Sequence, residues 1–389
     1  MISRKKGKTI TMKLTRNILV ILLLTLTLTG CWGAKEIEHM IYVNTVGVDY
    51  VNDKVVIYLQ MINFSGIAKK ESGQSQPQKT YVAKGEGNSF DAAIFHLYSS
   101  SPQKIAWSHV KTIVFSEEAL KHGVVNEVLD VWDRYYEFRY TVWTMATKEP
   151  IEEIFNTPST AELSVLYSQL NSPLNPYTQS SVIAPLYLYE FIRKWYEEGQ
   201  TVPLPYLTIV KNWTENKKIS PKLKPGGICF LEKEQFKGCL ARRYLLGLRW
   251  VEKKTDRTPV EIKEKKSVKA ILVMDKIKSS IKPKVTDGKA TFDIKISMQA
   301  NIPELKEHFK EKELEELAAR EVKKEIMGTY LKGLELGVDA LGLSEPTYRD
   351  MPNVWNKLEE GGKLPLDKSS ITSIDVKVKL ISGGISKVK

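Results

Sequence analysis

Cysteine is scarce, with three in 389 residues. So few thiols cannot staple a chain of this length, so its stability must come from packed cores, for which a hydrophobic content of 42% suffices. The five histidines, His39, His96, His109, His122 and His308, share no metal-ligand spacing with one another or with a cysteine. There is no P-loop, no G-x-S-x-G elbow and no G-x-G-x-x-G after a strand; Gly85-Glu86-Gly87 lacks the third glycine. Ser108 and His109 are adjacent, but neighbours in a strand point to opposite faces. Acidic pairs such as Glu152-Glu153 and Glu359-Glu360 read as solvated helix faces. The expectation is a protein that is not an enzyme and needs no cofactor or metal. No later apolar run reaches the roughly 20 residues of a membrane span. Nor are the basic residues arranged as a stripe for nucleic acid. They alternate with acids instead, as in Arg320-Glu321-Val322-Lys323-Lys324-Glu325.

What the chain does carry begins at its N-terminus. A lead-in with Arg4, Lys5, Lys6, Lys8, Lys13 and Arg16 precedes an apolar run, Ile18 to Leu24, and then Leu28-Thr29-Gly30-Cys31. A charged n-region, a short apolar h-region and small residues before the cut make a secretory signal. An aliphatic residue, a small one, glycine and cysteine make it the signal of a bacterial lipoprotein. Cys31 is then the lipidation site, and Leu28, Thr29 and Gly30 are the residues around which the peptidase closes. Two acyl chains, at about 0.8 kcal/mol per buried methylene, hold a protein at a bilayer where one does so only marginally. The expectation is a signal peptide over 1–30 and a chain tethered to the extracytoplasmic face of a membrane. Loss of the six basic residues before Cys31 lowers the formal net charge from +12 to +6. That balance suits an anionic lipid surface.

Periodicity predicts a mixed α/β (α+β) chain of three domains, each a β-sheet flanked by helices. In the first, 31–200, strands are predicted at Ile41–Val48 and Val55–Ile62 about a turn at Asn52-Asp53, then at 81–84, 111–115 and 141–147. Ser89 and Ser116 have the chemistry to cap the helices that follow them. Residues 69–80 read as a loop. Pro173, Pro176 and Pro185 break regular structure before a helix at 186–198, whose Leu188, Phe191, Ile192 and Trp195 form an apolar stripe. In the second, 201–262, the β-rich segment places a hairpin around Lys233-Glu234-Gln235. Its register sets Cys229 opposite Cys239 and Leu231 opposite Lys237, close enough for either a disulfide or two packed thiols. In the third, 263–389, strands alternate cleanly at 268–279 and 289–300. Pro303 is expected to open a long helix with apolar positions from Leu314 to Leu341, and 374–380 closes the chain as a strand.

Four blocks of residues, in order, carry a family resemblance. The first is Cys31-Trp32, Glu36-Ile37 and Gly47-Val48-Asp49; the second runs from His109 to Glu118 and on to Arg134 and Glu137-Phe138-Arg139. The third is the hairpin 230–240, including Gly238, with Gly247-Leu248-Arg249-Trp250. The fourth is Asp339-Ala340-Leu341-Gly342-Leu343 with Pro352-Asn353-Val354-Trp355. Together with the lipoprotein signal, the chain resembles the lipoprotein C-subunits of bacterial spore nutrient-germinant receptors. The resemblance implies a soluble three-domain lipoprotein on the outer surface of the spore inner membrane. Its implied partners are a multi-spanning A-type subunit and a transporter-like B-type subunit, and it assigns no nutrient contact to this chain. Three departures stand out: Gly33 where the family usually has an acid, a Gly-Gly and Leu-Pro stretch replacing a second tryptophan after Trp355, and the cysteine pair. The competing expectation is a solute-binding lipoprotein of an importer, which needs two similar lobes around a cleft.

Overall fold

The computed structural model describes residues 14, 16–20, 40–62, 80–160, 163–264, 267–307 and 309–382. Residues 1–40 and 41–389 are separate compact units. In the first, residues 16–20 are helical and exposed.

The chain enters a sheet through β1 (Met40–Val51) and β2 (Lys54–Ile62). Asn52 and Asp53, both at positive φ, form the two-residue turn that matches strand twist. Then come β3 (Tyr81–Gly87), α1 (Phe90–Ser100), β4 (Lys104–Ala106), β5 (Thr112–Ser116), α2 (Glu117–Lys121), α3 (Val124–Arg134), β6 (Trp143–Thr147) and α4 (Ile151–Asn156). The Ser89 hydroxyl accepts from Ala92 N at 3.2 Å and that of Ser116 from Ala119 N at 3.0 Å, so both serines cap as expected. Next follow α5 (Leu174–Gln179), β7 (Leu186–Tyr187), α6 (Leu188–Tyr196), β8 (Val202–Val210), a hairpin of β9 (Thr214–Glu215) and β10 (Lys218–Ile219), β11 (Lys222–Glu232) and β12 (Gln235–Ala241).

Among the described residues these strands make a ten-stranded sheet in the order β12-β11-β8-β6-β5-β1-β2-β3, with β4 on β1 and β7 on β6. The pairs β1–β5, β5–β6 and β6–β8 are parallel. The expected middle domain, 201–262, thus hydrogen-bonds its long strands into the sheet of the N-terminal part. Ile113 and Phe115 face the core beneath α1, α3 and α6, while Val114 faces that beneath α4. A sheet covered on both faces is why β5 and β6 are buried at every position instead of alternating.

The second large sheet is β13 (Thr258–Glu264), β14 (Ser267–Thr286), β15 (Lys289–Leu305) and β16 (Ile371–Ser382), in that order. Phe292, Ile294, Ile296 and Met298 of β15 are buried, and Lys295 and Ser297 between them are exposed. Against the buried face lies α8 (Glu311–Leu336), after the single turn α7 (Leu248–Val251). Leu314, Ala318, Val322, Ile326 and Tyr330 make its core stripe, each full burial contributing about 1.5–3 kcal/mol for the larger apolar side chains. The short helices α9 (Ser344–Asp350) and α10 (Pro352–Leu358) precede β16.

Four local expectations are corrected. Pro303 opens no helix: it lies in β15 where the register with β14 shifts, a place that tolerates a missing N–H. The helix starts at Glu311 and stops at Gly337, whose φ of 74° ends it before Leu341. Prolines 173 and 176 do not prevent α5, because they occupy its N-cap and first turn, where no N–H is needed. The 233–235 turn has two residues, Lys233 and Glu234, and the register slips at Lys237, so Leu231 pairs with Phe236.

Gly47 shows how tightly the sheet is covered. A Cβ there would sit 2.4 Å from Ile151 Cγ2 and 3.0 Å from a ring carbon of Phe155. Gly47→Ala is expected to destabilise the chain by about 1–3 kcal/mol through overpacking. In Gly47→Ala/Ile151→Ala the clash is removed, so urea denaturation should give a loss smaller than the sum of the single losses.

Candidate functional site

Leu28, Thr29, Gly30, Cys31, Trp32 and Glu36 lie outside the described residues. The remaining residues of the four blocks fall into two places. In the ten-stranded sheet, Gly47 admits α4, and Asp49 at the end of β1 accepts the Ser116 hydroxyl, tying β1 to the start of α2. Arg139 offers its carbonyl to the indole of Trp132 at 3.1 Å.

The other positions build the joint between the two large sheets. Glu325 of α8 receives two bonds from Arg249 Nη2, both 2.7 Å, and one from Trp250 Nε1, also 2.7 Å. Arg249 Nη1 donates to the Thr258 hydroxyl and the Pro259 carbonyl, each at 2.9 Å, so one side chain clamps α7, α8 and β13. Gly238, at the slip in β12, leaves room for Leu336 of α8. Asp339 is buried, and burial pushes its carboxyl up from the usual range while backbone N–H groups pull it back. Two of these, Leu343 N at 2.9 Å and Ser344 N at 2.7 Å, turn the chain into α9 across Gly342 at φ 70°. Pro352 takes the first position of α10 and sets Trp355 facing the loop after α6. There Gly199, at φ 68°, would place a Cβ 2.8 Å from the Trp355 ring, so no other residue fits. Beyond α10, Gly361-Gly362 makes a left-handed turn whose Gly362 carbonyl accepts from Gly199 N at 3.2 Å. Arg349 completes the joint with a fork onto Glu197 at 2.7 and 2.8 Å. Cys229 and Cys239, opposite each other in β11 and β12, form a disulfide, S–S 2.01 Å.

The blocks thus mark packing devices rather than a reaction centre. Among the described residues no cluster of three His, Cys, Asp or Glu could hold a metal, and no helix is long and apolar enough to cross a membrane. Ser108 and His109 correct the strand argument, since they sit in a turn with Ser108 Oγ 3.1 Å from His109 Nδ1. Burial, then Arg139 and Lys111, hold that imidazole below its ordinary pKa.

The surface feature is aromatic. Between α1 and the chain after α3 lies a cleft of about 390 Å³ lined by Tyr98, Trp107, Tyr135 and Phe138. Its rings touch in series: Phe95 to Tyr98 at 5.7 Å, Tyr98 to Trp107 at 6.5 Å, Trp107 to Phe138 at 5.5 Å, and Phe138 stacked on Trp132 at 4.1 Å. Phe95, Tyr98, Tyr135 and Tyr140 are exposed and Tyr136 is 94% exposed. Amphipathic aromatics held by a rigid scaffold are what buried interface anchors consist of. The sequence signal was the run Tyr135-Tyr136-Glu137-Phe138-Arg139-Tyr140, in which no apolar periodicity assigns the rings to a core.

Comparison with known proteins covers nearly the whole chain. Residues 33–209 match the model of the spore germination protein N-terminal domain, and residues 226–384 that of the spore germination B3/GerAC-like C-terminal domain. Spore germination protein KC of Bacillus subtilis is 23% identical over 386 residues, 92% of each chain. Spore germination protein B3 of the same organism is 21% identical, over 90% of this chain and 92% of its own. The crystal structure of the GerBC protein superposes with a TM-score of 0.50 at 18% identity, covering 87% of this chain and 97% of that one. None of these descriptions is that of an enzyme.

Glu325→Ala, which leaves Arg249 buried without its carboxylate, should cost about 3 kcal/mol in urea denaturation. Asp130→Asn breaks an exposed pair with Arg134, their side chains 60% and 71% accessible, and should leave the urea midpoint unchanged.

Proposed function

This chain belongs to the spore germination B3/GerAC-like family, whose part is in spore germination, and we propose that it is the lipid-anchored C-subunit of a nutrient germinant receptor. Cys31 carries the acyl chains and holds the folded region at the outer surface of the spore inner membrane. The A-type and B-type membrane subunits are its partners, and it contributes by protein–protein association rather than by catalysis. The observation that carries this reading is the aromatic cleft beside α1 and α3. A chain of touching rings, open to solvent at Phe95 and Tyr98 and flanked by the exposed Tyr136, presents apolar area with little conformational entropy left to lose on docking. Nucleic acid is not a partner, since the basic side chains are interleaved with acids. The two large sheets, one of ten strands and one of four, are not the paired lobes that the importer alternative requires.

The test is a pull-down of the tagged full chain from sporulating cells. Wild type should come down from the membrane fraction with A-type and B-type subunits, and Cys31→Ala should move to the soluble fraction. Phe95→Ser/Tyr136→Ser should stay in the membrane but lose partner recovery by about tenfold or more. Recovery of importer components, or undiminished partners with the aromatic variant, would overturn the anchor-and-cleft account.

A further inference from the structure

A second concavity, on the sheet face opposite α1, answers to a different chemistry. Here the proline-rich stretches 157–160 and 163–185 lie over β6, β8 and β11 and leave a cavity of about 530 Å³, a size typical of small-molecule sites. Its floor is apolar, with Met145 and Leu207 from the sheet and Ile183 from the overlying chain. Its charges are all of one sign: Lys222, Lys224 and Arg242 line it, and no described lining residue is an Asp or Glu.

Two of these cations are held away from water. Lys222 is 9% exposed, and among the described residues its ammonium donates only to neutral groups, the carbonyls of Pro158 and Ser159 at 3.3 and 3.1 Å and the Ser220 hydroxyl at 2.9 Å. Arg242, in the turn after β12, is half-buried and pairs with no carboxylate of the described residues. Burial and the neighbouring Arg249 both weaken its hold on its proton, which marks an uncompensated positive site. A guanidinium in that position favours a carboxylate, whose two oxygens match its fork.

We propose that this cavity binds a small organic carboxylate, its anionic head on Arg242 and its apolar body along Met145, Leu207 and Ile183. Neutral or cationic ligands lose the head-group interaction, and a bare inorganic anion leaves the floor unfilled. The inference is independent of the receptor reading, since it concerns a face and residues that the docking cleft does not use.

Isothermal titration of the purified full chain tests it with four probes: 3-phenylpropionate, 3-phenylpropionamide, 3-phenylpropylamine and inorganic phosphate. Trp213, half-exposed at the cavity, gives a second readout through its indole N–H resonance. The carboxylate should bind and shift that resonance, and the amide, amine and phosphate should bind at least about tenfold more weakly. Arg242→Gln should weaken the carboxylate roughly 10- to 100-fold, with Arg242→Lys between the two. Equal binding of acid and amide, tighter binding of phosphate, no binding of the acid, or wild-type affinity in a folded Arg242→Gln would each overturn the proposal. Should Arg242→Gln fail to fold, the acid–amide difference in wild type and in Arg242→Lys decides it.

Discussion

Glu325 is the pin of this structure. Its carboxylate is the common acceptor for Arg249 and for the indole of Trp250, and Arg249 in turn reaches β13. Removing water from two ions and an indole is unfavourable, and here one carboxylate offsets it by accepting three N–H bonds at 2.7 Å, although Arg249 Nε is left buried without an acceptor among the described residues. That arrangement fixes α8 against the segment leaving the ten-stranded sheet. Gly238 beside Leu336, Gly199 beside Trp355, and Arg349 on Glu197 then close the same joint from other sides. Displace the pin, and the apolar contacts around Val338, Ala340, Ile228 and Phe230 lose their register.

Local chemistry was the part of the fold most legible in the sequence. Ser89, Ser116, the Asn52-Asp53 turn and the alternation of β15 each act over a few residues, and each appears where its residue types require it. What failed was long-range or depended on a partner. Pro303 has the chemistry of a helix start, yet β14 recruits it into a strand whose register slips beside it. The attachment of β8 to β6 is a parallel pairing across more than fifty residues, and no local periodicity records it. The segment 201–262 therefore reads as a unit of its own although its strands complete another sheet. The family models divide inside that segment, between residues 209 and 226, where β8 and β11 are antiparallel neighbours.

The candidate surfaces were less legible than the fold. An exposed aromatic and a buried one look alike in a sequence, and only the placement of α1 against the chain after α3 shows that Phe95 and Tyr136 face solvent. The cavity beneath residues 157–160 and 163–185 is still further from sequence, because its cations come from β11 and the turn after β12, and its floor from β6 and β8.

The residues of the four sequence blocks are mostly joints: Gly47 under α4, Gly238 under α8, Trp250 and Trp355 in the core, and Asp339 capping α9. A joint tolerates little, since a methyl group at Gly47 or Gly199 already meets a neighbour inside 3 Å. A rim tyrosine or a cavity-lining arginine is under no such packing constraint, and its replacement changes what is bound while leaving the sheets where they are. Architecture shared at 18–23% identity is therefore compatible with surfaces that differ from one chain to the next. On the proposed readings, partner choice and ligand choice rest on this chain's own side chains, at Tyr136 and at Arg242, rather than on the fold that presents them.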